Sequence, residues 1–180
     1  MINLRVISGK YKGRKLEGFD IFGTRPTMDR VKESLFGMIQ NNIKNCVCLD
    51  LFAGSGSLGI EALSNGANKC YFVEKHNEIY GVLKKNLVGV SDFELIKSDY
   101  KDALSSFVKN DIKFDIIFLD PPYKLCLIND ILVFISDNDL LNENGIVVCE
   151  YENELVHSDE FEELKTKKYG SKIVTVYKKL

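Results

Sequence analysis

Asp120-Pro121-Pro122-Tyr123 joins a carboxylate fixed by two prolines to an aromatic ring. Proline locks its own φ and restricts the residue before it, so Asp120 and the neighbouring carbonyls have little freedom. A carboxylate and a fixed carbonyl can accept both N–H bonds of an exocyclic amine. Tyr123 adds a flat face for a planar base. Asp120, Pro121 and Tyr123 are therefore the candidate catalytic residues. The competing reading is an ordinary strand-ending turn, because Pro and Asp are common turn residues.

A second constellation lies upstream, in Asp50-Leu51-Phe52-Ala53-Gly54-Ser55-Gly56-Ser57-Leu58-Gly59. It reads as a strand end, a glycine turn and a helix start. Glycine lets the backbone pass close beneath a ligand where a side chain would collide. Glu74 ends the next expected strand, where a carboxylate can accept both hydroxyls of a ribose. The spacing Gly54-x-Gly56-x-x-Gly59 also fits a dinucleotide fingerprint, so a nicotinamide enzyme is an alternative. Against it, Asp50 would crowd a pyrophosphate, whereas carboxylates suit a cationic donor carrying a free amino acid. Asp99 can meet an adenine edge or simply cap the helix that begins at Tyr100.

The elements that position these groups follow from apolar periodicity. Leu4 to Leu16 reads as a hairpin turning through Gly9 to Gly13. Thr27 can cap a helix over about Met28–Gln40, with Val31, Leu35, Met38 and Ile39 as its apolar stripe. Strands are expected at Val47–Leu51, Lys69–Glu74, Phe93–Lys97, Phe114–Leu119 and Gly145–Glu150. Helices are expected between them, to about Asn65, over Asn77–Leu87, over Tyr100–Val108 and over Leu125–Ser136. Phe161–Lys168 and Ser171–Lys178 form a closing antiparallel hairpin. Repeated βα units need crossover connections and hence a parallel sheet, with ligands at the carboxyl ends of its strands. The expected fold is α/β and Rossmann-like, with seven mostly parallel strands and an added N-terminal hairpin.

The chain's 180 residues, 45% hydrophobic and 28% charged, suit a single globular core. It has no apolar stretch of membrane-spanning length and no signal-peptide pattern at its start, so a cytoplasmic protein is expected. Five cysteines without CxxC spacing and two histidines, His76 and His157, suggest neither a metal site nor a structural disulfide. The net charge of −2 hides an asymmetry. Residues 1–32 carry +5 and the remainder −7. Arg5, Lys10, Lys12, Arg14, Lys15 and Arg30 are candidate contacts to a polyanion. The bland alternative for any one of them is a solvated surface.

Taken together, the chain resembles the RsmD family of bacterial small-subunit ribosomal RNA guanine-N2 methyltransferases. The resemblance rests on Arg5-Val6-Ile7-Ser8-Gly9 with Gly13-Arg14-Lys15-Leu16, and on Arg25-Pro26-Thr27-Met28-Asp29-Arg30-Val31-Lys32-Glu33-Ser34-Leu35-Phe36. Asp50 to Gly59, Glu74 and Asp120 to Tyr123 complete it. It implies a class I methyltransferase fold with S-adenosyl-L-methionine as donor. Asp50, Phe52, Ala53, Gly54, Gly56 and Glu74 would hold the cofactor, with Asp99 near the adenine. Family members often have an amide at the position of Asp99. Arg25 and Thr27 belong to a segment that would help close the cleft. Residues 1–25 would be a basic arm for RNA, and 26–180 the methyltransferase domain. The implied partner is 16S rRNA within a small-subunit assembly particle, and the expected state a monomer.

Other activities remain open at this level. Asp-Pro-Pro-Tyr serves any exocyclic amine, so adenine-N6 methylation of DNA or RNA is the nearest rival. Protein glutamine methylation fits the basic arm less well. A catalytically silent RNA-binding assembly factor on the same fold is the alternative outside enzymes.

Overall fold

The computed structural model describes residues 4–19, 29–153 and 156–180, and of Tyr123 the backbone alone. Two short strands, β1 (Leu4–Arg5) and β2 (Lys15–Leu16), pair antiparallel as Leu4↔Leu16 and Arg5↔Lys15. Two bonds, Val6 N–H to Arg14 O and Gly13 N–H to Val6 O, carry the pairing on toward the turn. Helix α1 (Asp29–Ile43) follows. Strand and helix then alternate through β3 (Val47–Asp50), α2 (Ser57–Ser64), β4 (Lys69–Glu74), α3 (Asn77–Asn86), β5 (Phe93–Lys97), α4 (Tyr100–Lys109) and β6 (Phe114–Leu119). A 3-10 turn, Tyr123–Leu125, leads to α5 (Ile128–Asp137), β7 (Leu141–Glu152), β8 (Phe161–Tyr169) and β9 (Lys172–Lys179).

Seven strands form one sheet in the order β5-β4-β3-β6-β7-β9-β8. The five from β5 to β7 are parallel, and β9 runs antiparallel between β7 and β8. The order reverses between β3 and β6, which is where an open α/β sheet forms its ligand crevice. One face packs under the hairpin, α1, α2 and α3; the other under α4 and α5. Along β3 and β4, Cys48, Cys70 and Phe72 face the hairpin side, while Leu49, Tyr71 and Val73 face α4. That alternation follows from the two-residue period of a strand. Because both faces are covered, the central strands are apolar throughout, as their sequences suggested.

Three departures from the sequence expectation have physical causes. Strand β7 starts at Leu141 rather than Gly145, running through Asn142-Glu143-Asn144, residues that resemble a turn. Its register against β6 shifts between Phe114 and Ile116, so the extra residues are absorbed in a bulge with Asn144 at φ 62°. Helix α1 also buries Lys32 and Phe36 beside its expected stripe. The strands of the hairpin are only two residues each, but Leu4, Val6 and Leu16 are buried in the main core. Among the described residues, no helix is long and apolar enough to cross a membrane.

Candidate active site

Four adjacent parallel strands bring carboxylates to the same end of the sheet: Glu74 on β4, Asp50 on β3, Asp120 just after β6, and Glu150 on β7. Two residues before each acid stand Phe72, Cys48, Phe118 and Val148, all in the hairpin-side core. By alternation the four acids share that face. Asp50 pairs with Phe72 and Phe118, one rung below Glu74 and Asp120, and so lies deepest in the row.

The glycine turn connects the row to helix α2. Gly56 holds φ at 82°, and a Cβ there would lie 2.6 Å from Leu83 Cδ1, so neither its conformation nor its space admits a side chain. Gly59 is needed for packing instead: a Cβ would stand 2.3 Å from Phe72 Cε1 and 2.8 Å from Cys70 Sγ. The turn is tied to two of the acids. Glu74 accepts from Gly54 N–H at 3.1 Å and from His76 N–H at 2.9 Å. Asp50 accepts from Gly59 N–H at 3.0 Å. Ala53 donates to Val73 O, holding the turn against β4. The Phe19 ring, at the end of the described hairpin segment, packs against Gly54.

Burial sets the electrostatics, and crowding of like charges adds to it. Burial pushes the Asp50 carboxyl up to about 7, with the Glu74 charge adding to the push and the Gly59 N–H opposing it. Asp120 is raised well above the usual carboxylate range, chiefly by burial, then by the Glu150 charge. Lys172 pulls it back, and Asp50 adds a smaller push. Glu150 itself is buried and meets Lys172 Nζ at 2.7 Å.

Asp99 caps α4, accepting from Lys101 N–H at 3.0 Å, and lies 3.6 Å from Lys75 Nζ. The capping alternative is thus realised in this structure. Phe52 stacks at a tilt on Tyr100, ring centres 5.3 Å apart, beside that cap. Pro121 is buried and Pro122 exposed, so the chain turns outward directly after Asp120. Arg25, Thr27 and the Tyr123 side chain lie outside the described residues.

The basic candidates divide between the two ends of the molecule. Arg5 is exposed and pairs with Asp29 at 2.8 Å, and Arg30 is exposed in the same turn of α1. Lys10 and Lys12 are exposed at the hairpin tip, and Lys15 on its return strand. The tip sits at the far end of α2: Lys10 N–H bonds Ser64 O and Tyr11 N–H bonds Ser64 Oγ. Arg14 is half-buried, its guanidinium bonded to the carbonyls of Asn86 and Val88. That group fastens the hairpin to the end of α3.

Sequence reasoning missed three groups. Lys32 and Glu61 form an ion pair of 3.1 Å with both side chains 1% exposed. Glu61 also accepts from Ile7 N–H and Ser8 N–H, while Lys32 donates to Arg5 O and Ser57 Oγ. Asn86 bridges the hairpin's Glu17 and the turn's Ser55. Glu150 with Lys172 is the third. Glu150 was findable, because Val147-Val148-Cys149-Glu150 repeats the pattern of a buried strand ending in an acid that marks Asp50, Glu74 and Asp120.

A family model described as Conserved hypothetical protein 95 matches residues 4–178. YlbH of Bacillus subtilis (strain 168) is 39% identical, the match covering 98% of this chain and 99% of that protein. A Haemophilus influenzae protein named Ribosomal RNA small subunit methyltransferase D is 38% identical over 93% of this chain and 89% of its own. Among solved structures, yhhF from Escherichia coli superposes with a TM-score of 0.85 at 28% identity, covering 98% of both chains.

Proposed function

The chain belongs to the Conserved hypothetical protein 95 family, and on that footing we propose that it methylates small-subunit ribosomal RNA, transferring a methyl group from S-adenosylmethionine to the exocyclic N2 amine of a guanine. The observation that carries this reading is the row of carboxylates across the strand-order reversal, with Asp120 on one side and the glycine turn with Glu74 on the other.

The residues present fit that donor. Gly56 keeps its turn free of a side chain, Glu74 stands where ribose hydroxyls would meet an acceptor, and Asp50 lies deep between them. Asp50, bonded to the Gly59 N–H at the start of α2, sets a carboxylate where a pyrophosphate would otherwise approach, so the turn suits a ligand without phosphate. When bound, the cofactor supplies an electrophilic methyl group on a sulfonium. Everything else is the work of the chain's own residues.

The amine of guanine is a poor nucleophile, because its lone pair is delocalised into the ring. Asp120 and the Pro121 carbonyl accept its two N–H bonds and favour a geometry in which that lone pair is free to point at the donor. Holding reacting groups in line supplies much of the acceleration. The Asp120 carboxylate then takes the proton that the methylated amine sheds. A base reaching this cleft must leave its helix, and Tyr123 provides the surface on which it stacks. Arg25 and Thr27 close over the donor. Lys10, Lys12, Lys15, Arg5 and Arg30 contact RNA phosphates, a salt-sensitive and weakly sequence-specific attachment.

The test is transfer of labelled methyl to naked ribosomal RNA, to partly assembled small subunits and to duplex DNA, followed by nucleoside analysis. N2-methylguanosine is the expected product. N6-methyladenosine as the sole product would overturn the guanine assignment, and no transfer to any substrate would favour a silent assembly factor.

A further inference from the structure

Glu150 is unusual company for Asp120. The β6–β7 ladder ends at Leu119↔Cys149, and Asp120 and Glu150 are the residues that directly follow that last pair. They point to the same face, and neighbouring strands lie about 4.8 Å apart. Two carboxylates that close, one of them 1% exposed, repel each other when both are charged. A cation lies beside them. Lys172, at the start of β9, reaches across its partner strand and places Nζ 2.7 Å from Glu150 Oε1, its side chain only 13% exposed. Its backbone pairs with Glu152, the next same-face residue after Glu150.

We propose that Lys172 and Glu150 are a positioning pair for Asp120: Lys172 balances the buried Glu150, so that the Asp120 carboxylate forms more readily and accepts the N–H bonds of the incoming amine. This rests on the reading of Asp120 as the amine acceptor. Among the described residues, Glu150 on β7, Lys172 on β9 and Asp50 on β3 are the charged groups that act on Asp120 from the strands around it. Their effects have opposite signs, which makes the arrangement testable. Losing Lys172 removes a group that favours the charged form. Losing the charge of Glu150 removes one that opposes it.

The pair predicts displacements in opposite directions. Titration of Asp120, followed by carbon-13 NMR of aspartate-labelled protein, needs no RNA. Lys172→Met should move the Asp120 titration to higher pH, Glu150→Gln to lower pH, and the double variant should lie between them. Lys172→Arg should restore the wild-type titration. Methyl transfer should follow. In Lys172→Met the acid limb of the kcat profile moves to higher pH, and the rate at a fixed pH on that limb falls about tenfold for each pH unit it moves. KM for the donor stays unchanged. If Lys172→Met does not fold, Lys172→Gln carries the same expectation. Movement in the same direction for both single variants, or none in either, would refute the pair. Absence of methyl transfer by the wild type would instead refute the proposed function, and the NMR titration would still decide the pair.

Discussion

Asp50 is a carboxyl group whose burial works against folding. With its pKa lifted to about 7, the unfolded chain ionises it near pH 4 while the folded chain resists until near neutrality. Its contribution therefore becomes less favourable as pH rises across that window, by up to about 4 kcal/mol above pH 7. Denaturation of wild type and Asp50→Asn at pH 4 and pH 8 should show the variant gaining relative stability at the higher pH. A constant difference between the two pH values would contradict the buried-acid picture. A cationic donor should reverse the strain by ionising Asp50. Calorimetry with S-adenosylmethionine at pH 7, in buffers of different ionisation enthalpy, should then detect proton release that Asp50→Asn eliminates. Asp120 differs in consequence. Asp120→Ala should abolish methyl transfer while S-adenosylhomocysteine still binds, and persisting activity would remove the carboxylate from the mechanism.

At the scale of elements, the hairpin is held by a buried ion pair rather than by its own four-residue ladder. Removing Glu61 strands the Lys32 charge in the interior and leaves the N–H groups of Ile7 and Ser8 without their acceptor. Glu61→Ala should cost about 3–5 kcal/mol in urea denaturation. Lys32→Met should cost less, because Glu61 keeps its other donors; an equal loss would mean that the backbone bonds contribute little. Helix α2 against β4 is the other tight junction. Gly59→Ala drives a methyl into Phe72 and Cys70 and should destabilise by about 1–3 kcal/mol, read as a lowered Tm, even though alanine is the better helix former. The alternation of strands and helices could be read directly, because doubly covered strands are continuous apolar runs that end in an acid or a turn. The clasp could not. Lys32 and Glu61 sit 29 positions apart on different helices, and nothing local marks a lysine in a helix as buried. The start of β7 was hidden for the opposite reason: Asn142-Glu143-Asn144-Gly145 has turn chemistry and forms a bulge, while Leu141 on one side of it and Ile146 on the other pair with β6.

For the whole molecule, the distribution of charge matters more than its sum. Acids gather at the carboxyl end of the sheet and exposed lysines at the hairpin tip. Of the six basic candidates, Arg14 is already engaged with α3, which its residue type could not reveal. Lys10 and Lys12 are the groups at the tip left facing solvent. Reversing both to Glu should weaken RNA binding and flatten its dependence on salt, by about 0.7–0.9 in logarithmic slope for each phosphate no longer neutralised. Unchanged affinity and slope would make the tip a solvated surface. Arg14→Ala, in contrast, should act through hairpin stability.

The hairpin lies lengthwise along the sheet, its ends near Lys32 and Gly54 and its tip by Ser64. The tip and Asp120 are therefore separated by roughly the length of a six-residue strand, about 20 Å. With a buried clasp at one end and α3 fastened to the other, that separation behaves as a rigid caliper. A strand of RNA free to adjust could close on either jaw alone. If the tip holds RNA phosphates as proposed, a folded RNA that presents a backbone segment and an extruded base at the matching interval should accept methyl groups faster than the same strand unfolded, and equal rates would deny the molecule any gauge of shape.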